Sequence, residues 1–290
     1  MTTGPILVGF DGSRDAWAAL RWAQDEAARC GAPIRLVYVY EWSSAVTPVP
    51  AGSGWPDPEV RQAAVGAVSE AVERARQHRP DVEVDGTVID GTVVSTMCKL
   101  SESARMVVVG SRGLGGFSGL LAGSVATGIA TCARAPVVVT RGSARRDRPV
   151  VVGLDPEAPD CDGALSFAYD QAASRGVGLV ALRAWRPPPV PCRTDTEPVR
   201  YDEAALEAAE RGLVEGLLDR WRRRRPEVPV TVRLVADTPA HALVTASEQA
   251  QMVVVGCLGR GGGAGQSLGS VARQVIHHAH CPVAVIRGRE

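Results

Sequence analysis

Pro5-Ile6-Leu7-Val8-Gly9-Phe10-Asp11 recurs later in the chain as Pro149-Val150-Val151-Val152-Gly153-Leu154-Asp155. The echo continues outward from this stretch. Met106-Val107-Val108-Val109-Gly110 returns as Met252-Val253-Val254-Val255-Gly256, and Gly123-Ser124-Val125-Ala126 as Gly269-Ser270-Val271-Ala272. Pro136-Val137-Val138-Val139 returns as Pro282-Val283-Ala284-Val285, so the offset drifts only from 144 to 146 residues. A repeat this long means a duplicated domain rather than a solenoid. The polar stretch Gly142-Ser143-Ala144-Arg145-Arg146-Asp147-Arg148 marks the join. The expected domains are 1–142 and 148–290.

Within the first half, short apolar runs alternate with longer segments of helical period. The runs at 6–10, 34–40, 82–89, 106–110 and 137–140 read as strands. Segments 15–30, 59–77, 93–103 and 124–133 read as helices, the first carrying Trp17, Leu20, Ala23 and Ala27 on one face and stopped by Gly31. Strands apolar on both faces and separated by helices predict a parallel sheet covered on both sides. The expected fold is therefore α/β, two tandem doubly wound domains of five parallel strands each. Such sheets place ligands at the carboxyl ends of their strands. Attention falls on the loops after Phe10, Tyr40 and Val109, and after Leu154, Trp185 and Val255.

Composition narrows the chemistry. The 290 residues carry 32 basic and 32 acidic side chains, a net charge of zero. Nucleic-acid binding through bulk charge and polybasic membrane attachment are both disfavoured. No apolar run reaches the ~18 residues of a membrane helix. The N-terminus, Met1-Thr2-Thr3-Gly4-Pro5, lacks the pattern of a secretory signal, and a cytoplasmic location is expected. Seven scattered cysteines without CxxC spacing do not read as a disulfide framework or a zinc knuckle. Lys99 is the sole lysine.

After the fourth strand the halves read Gly110-Ser111-Arg112-Gly113 and Gly256-Cys257-Leu258-Gly259, each followed by nine residues and then Gly123-Ser124 or Gly269-Ser270. Glycines allow close backbone approach to a ligand. A helix start beyond them offers free N–H groups and a positive dipole end to phosphate. Ser124 and Ser270 also read as helix caps. Neither copy has the Gly-Lys-Ser/Thr ending of a P-loop, and no GxGxxG follows strand one. A phosphate site without a lysine favours holding a nucleotide over hydrolysing it rapidly. Asp11 and Asp155 end strand one in both halves, suited to accept hydrogen bonds from a ribose or base, or to help hold a metal ion on the phosphates. The structural alternative is an Asx-turn, which Asp11-Gly12-Ser13 fits.

In these residues the chain resembles the universal stress protein family, in the tandem form common in actinobacteria, and its ATP-binding G-x2-G-x9-G-S/T subgroup. Asp11 and Asp155, the two loops, and the closing Pro136-Val137 and Cys281-Pro282-Val283 carry the resemblance over essentially the whole chain. It implies a five-stranded α/β fold of order 3-2-1-4-5, ATP in each domain, with or without magnesium, and dimerisation through the last strand. Nucleoside contacts would map to Gly9, Asp11 and Val39, and to Gly153, Asp155 and Ala184. Ribose and phosphate contacts would map to Gly110, Gly113, Gly123, Ser124 and Val125, and to Gly256, Gly259, Gly269, Ser270 and Val271. The second half departs from the pattern: Pro156-Glu157 follow Asp155, Cys257 replaces a hydroxyl residue, and Gly261-Gly262-Gly263 loosens the loop. Both halves are expected to bind ATP, the first more tightly.

Other signals have plainer readings. His277, His278, His280 and Cys281 fall where the last helix gives way to the final strand, where histidines suit the dipole. No metal site is expected. Arg222-Arg223-Arg224-Arg225 ends a helix and reads as a solvated face. Cys257 reads as a small neutral substitute for the hydroxyl residue, and is the one cysteine whose place in the loop would suit a redox role. Trp55 lies in a loop suited to cover a ligand, and Pro187-Pro188-Pro189 in a stiff one. The expected protein is a cytoplasmic, ATP-binding stress-response regulator with an unidentified protein partner and no catalytic residues, a homodimer of tandem chains unless the duplication already satisfies that pairing internally. The alternatives are a slow nucleotide-dependent hydrolase or transferase, and a scaffold with empty loops.

Overall fold

The computed structural model describes residues 4–41, 58–113, 123–142, 145–186, 202–259 and 267–288. Trp55, Pro187 to Pro189 and Gly261 to Gly263 lie outside them. The first half runs β1 (Ile6–Gly9), α1 (Arg14–Cys30), β2 (Ile34–Tyr40), α2 (Pro58–His78), β3 (Val84–Asp90), α3 (Val93–Ser101), β4 (Met106–Gly110), α4 (Ser124–Cys132) and β5 (Val137–Thr140). The second runs β6 (Val150–Gly153), α5 (Cys161–Arg175), β7 (Leu179–Trp185), α6 (Glu203–Arg224), β8 (Val230–Ala236), α7 (Pro239–Ser247), β9 (Met252–Gly256), α8 (Ser270–His278) and β10 (Val283–Ile286). Every strand and helix read in the first half is present, with ends displaced by at most two residues. No helix among the described residues is long and apolar enough to cross a membrane.

Local chemistry accounts for the boundaries. Ser13 caps α1, its hydroxyl accepting from the Ala16 amide at 3.2 Å. Gly31 ends the helix at φ 63°, a conformation open to glycine, with its N–H bonded to the Ala27 carbonyl. Ser124 and Ser270, expected as caps, instead open their helices. The N-caps are Gly123 and Gly269, and neither provides a side-chain cap. A glycine there leaves the first-turn N–H groups unscreened.

Each half has strand order 3-2-1-4-5, all parallel, as expected. The two sheets then fuse. β5 and β10 pair antiparallel, with Val139 opposite Val283, Val138 opposite Ala284 and Val137 opposite Val285. The result is one ten-stranded sheet, β3-β2-β1-β4-β5-β10-β9-β6-β7-β8. Val138 and Ala284 are fully buried at this seam. One apolar core runs beneath α1, α2, α5 and α6; a second lies on the opposite face beneath α3, α4, α7 and α8. The last-strand pairing that the resemblance implies between chains is thus made between the halves of one chain.

Helices cross the seam as well. Glu26 of α1 accepts from Gln171 at 2.8 Å and Arg175 at 2.9 Å, both in α5. Its neighbour Arg29 also donates to it, at 3.0 Å. Burial pulls the Glu26 carboxyl upward, but Arg175, Gln171 and Arg29 together outweigh it and hold the group below its ordinary value. Arg287 donates to the Thr131 carbonyl and Arg141 to the Ile276 carbonyl, so each half holds the end of the other's last helix.

Candidate functional site

The chain turns of the first half converge on a cavity of about 430 Å³ at the carboxyl ends of β1, β2 and β4. Gly9 and Asp11 border it from β1, and Val39 from β2. Gly110 and Gly113 come from the loop after β4; Gly123, Ser124 and Val125 come from the start of α4. The structure therefore gathers around one space all eight first-half residues that the resemblance maps as nucleotide contacts. Phe10, Val93, Met97 and Ile129 add an apolar wall that the sequence reading missed. They sit on elements correctly read as helix or strand, but nothing in their local pattern says which face looks inward.

Gly110 is required by packing. A Cβ there would meet the Asp15 backbone carbon at 2.7 Å and its oxygen at 2.9 Å. Asp15 also accepts from the Ser111 hydroxyl at 2.9 Å. The loop closes on itself where the Gly123 amide donates to the Ser111 carbonyl at 2.7 Å. Asp11 makes the Asx-turn, its Oδ1 accepting the Ser13 amide at 2.9 Å, while Oδ2 faces Gly113. The turn and the ligand-facing position coexist in one carboxylate.

The second half repeats the frame with a different filling. The Gly269 amide closes its loop on the Cys257 carbonyl at 2.8 Å. Asp160, buried at the start of α5, accepts from the Leu258 amide at 2.7 Å and from Gly288. Asp15 and Asp160 are thus matching anchors for the two glycine loops. The sequence reading passed over them, because a one-residue insertion before Asp160 shifts the alignment. Gly153, Asp155 and Ala184 border this cavity from the strands, and Gly256, Gly259, Gly269, Ser270 and Val271 from the loop and helix. Its volume is only about 120 Å³. Small-molecule pockets span roughly 300–1,000 Å³, so the first cavity reaches that range and the second does not.

Arg183 is among the residues that border this smaller cavity. It takes the place that Tyr38 holds in β2, and its side chain is 6 % exposed. Its guanidinium donates to Asp155 at 3.2 Å and Glu210 at 2.8 Å. The expected weakening of the second site was read from Pro156, Cys257 and the triple glycine; the structure adds this buried arginine.

Cys257 is fully buried, and burial pushes its thiol up, which keeps it neutral. The cysteine reading needs correction, for a disulfide joins Cys98 to Cys132. The pair lies 34 residues apart in sequence, and only the packing of α3 on α4 brings it together. Among the described residues, no three His, Cys, Asp or Glu side chains group as metal ligands. His277 and His278 have ring centroids 6.3 Å apart, and burial, followed by the neighbouring His278 and two arginines, holds His277 below its ordinary value. In the arginine run, Arg222 pairs with Glu215 and Arg225 with Asp170.

A twice-repeated α/β unit with glycine loops leading into uncapped helices defines a class, the doubly wound domains that receive ligands at the carboxyl edge of the sheet. Within it, the Universal stress protein family model matches residues 2–141 and again 148–287, and the chain belongs to that family. A universal stress protein of Mycobacterium tuberculosis is 37% identical over 295 residues, covering 97% of this chain and 96% of its own length. One from Mycolicibacterium smegmatis is 37% identical over 299 residues, covering 98% and 97%. The crystal structure of a universal stress protein from Archaeoglobus fulgidus superposes with a TM-score of 0.70 at 20% identity, over 100% of both chains. That last likeness establishes the fold.

Proposed function

We propose that this chain, as two units at 1–142 and 148–290, binds a nucleotide in each half and acts as an occupancy-dependent regulator. ATP is the ligand that the family resemblance implies, and the first half is the tighter site. The carrying observation is the 430 Å³ cavity into which the uncapped start of α4 opens. Three features there fit a nucleotide. The first-turn N–H groups of Ser124 and Val125 have no acceptor within their own helix, which suits phosphate. Gly110 and Gly113 border the cavity without side chains of their own, which leaves the backbone open to close approach there. The wall of Val93, Met97 and Ile129 offers an apolar surface to a base.

Asp11 and the Val39 backbone would hold the nucleoside, and Gly113, Gly123, Ser124 and Val125 the phosphates. Asp155, Ala184, Gly259, Gly269, Ser270 and Val271 would do the same around the smaller second cavity. The lone Lys99 is exposed on α3 and does not border the first cavity. Without a lysine to stabilise moving charge, the site favours retention of ATP over turnover. Any further self-association needs a surface other than the last strands, since β5 and β10 are both paired on each side.

The test is mass spectrometry of nucleotide released from freshly purified, denatured protein, followed by titration of stripped protein. ATP released at one to two per chain supports the reading. No nucleotide released and no binding on titration would sink it, and rapid conversion to ADP would move the protein into the enzyme class.

A further inference from the structure

The wall of the first cavity contains a covalent link that the second lacks. Cys98 stands in α3 directly after Met97, whose fully buried side chain borders the cavity. Cys132 is the last residue of α4, the helix whose first residues face the phosphate position. Their Cα atoms are 5.7 Å apart and the sulfurs are bonded. The helices pack closely here: a Cβ on Gly128 would meet Val94 at 2.9 Å. A short, rigid helix transmits a displacement of one end to the other, so what holds Cys132 also places Ser124 and Val125.

The second half supplies the internal contrast. Val244 and His278 stand at the matching places in α7 and α8. Both helix pairs keep one polar tie, Ser101 to the Arg134 amide at 2.9 Å and Ser247 to the His280 amide at 2.9 Å. The covalent tie is therefore an addition confined to the larger cavity. Cys98 and Cys132 are half-buried, within reach of a small thiol, whereas Cys161, Cys257 and Cys281 are buried. The Cys281 thiol is pushed up to about 12 by burial, which leaves it inert at neutral pH.

We propose that Cys98 and Cys132 form a reversible redox modification site that sets the nucleotide affinity of the first half. The inference rests on the nucleotide reading given above. A low-molecular-weight thiolate attacks one sulfur of the bridge, forming a mixed disulfide and releasing the other cysteine as a thiolate, which takes a proton. A second thiol then displaces the first cysteine, so the protein gains two electrons and two protons and the reductant leaves as its own disulfide. The reverse exchange restores the bridge. In the oxidised form, α3 and α4 are held as one ordered wall, and binding costs less ordering. In the reduced form the Ser101 tie and the packing of Val94 against Gly128 remain without a covalent link.

The experiment uses the whole chain, poised oxidised or reduced with dithiothreitol, and titrates ATP calorimetrically. Reduction should weaken the first site by about tenfold and leave the second unchanged. Linkage requires the reciprocal effect: saturating ATP should make the midpoint potential of the pair more negative by ~30 mV, which is tenfold for two electrons. A Cys98→Ser variant should bind like the reduced chain under both conditions. Equal affinity in the two redox states, or a midpoint indifferent to ATP, overturns the proposal while leaving the nucleotide site intact. Binding by neither form overturns the site reading itself, and the switch with it.

Discussion

Asp11 Oδ2 lies 2.5 Å from the point where a Cβ on Gly113 would stand. The same carboxylate is pinned through Oδ1 to the Ser13 amide. The end of strand one and the glycine loop therefore close on each other, and the contact exists because residue 113 has no side chain. In the second half, a Cβ on Gly259 would meet nothing within 4 Å. Two glycines that look equivalent in sequence do different physical work.

Gly113→Ala should push the Asp11 carboxylate off its turn and weaken ATP binding at the first site by about tenfold, the worth of one charge-assisted hydrogen bond. Gly259→Ala should change the second site by no more than about twofold, as for a substitution into open space. Calorimetric titration of the two variants decides it. Equal losses would contradict the asymmetry.

Arg183→Tyr places in β7 the residue that stands at the matching register position in β2. Removing the guanidinium between Asp155 and Glu210 should open that cavity and raise its ATP affinity by about fivefold or more. It should also cost roughly 1–3 kcal/mol of stability as a buried charged network is lost. Binding stoichiometry at a fixed, limiting ATP concentration is the readout. An unchanged second site would show that Arg183 does not restrict it.

Arg175→Ala tests the contact between the halves. It leaves the Glu26 carboxylate, 3 % exposed, without its principal cation. The expected loss at neutral pH is about 3 kcal/mol or more in urea denaturation. The pH dependence has a defined sign. Glu26 is held below its ordinary value in the folded chain, so its contribution is present above the ordinary glutamate range and fades as pH falls through the lower folded value. The gap between the native protein and Arg175→Ala should accordingly narrow below about pH 4. A gap that widens in acid would exclude Glu26 as the cause.

Asp160→Ala should destabilise more than Asp15→Ala. Asp160 accepts from two backbone N–H groups, Leu258 and Gly288, whereas Asp15 accepts from the Ser111 hydroxyl. Stranding two donors costs about 2–4 kcal/mol, against about 1 kcal/mol for the single hydroxyl bond. Thermal unfolding gives the ranking. Hydrogen exchange at the Leu258 amide, accelerated in Asp160→Ala alone, gives the cause.

Much of this molecule was legible in the chain. A duplicated segment forces two copies of one fold. Runs such as Met106-Val107-Val108-Val109, apolar on both faces, can be stable only between two helical layers. Gly31 stopped its helix where expected, because its positive φ excludes most other residues. The glycine loops and Asp11 also met around a cavity, because both stand at the carboxyl edge that the alternation of strand and helix dictates.

Sequence alone, then, determined the repeat, the alternation of strand and helix and the carboxyl edge at which both cavities lie. These follow from short-range pattern in a parallel sheet, while the strand order 3-2-1-4-5 was what the family resemblance implied. Tertiary packing decided the rest. Which way Arg183 points, how Glu26 is neutralised across α1 and α5, and that Cys98 meets Cys132 all depend on contacts between segments far apart in the chain. The fate of the last strands belongs there too. The resemblance left them to pair between chains, and the effective concentration of two halves on one polypeptide pairs β5 with β10 inside a single one.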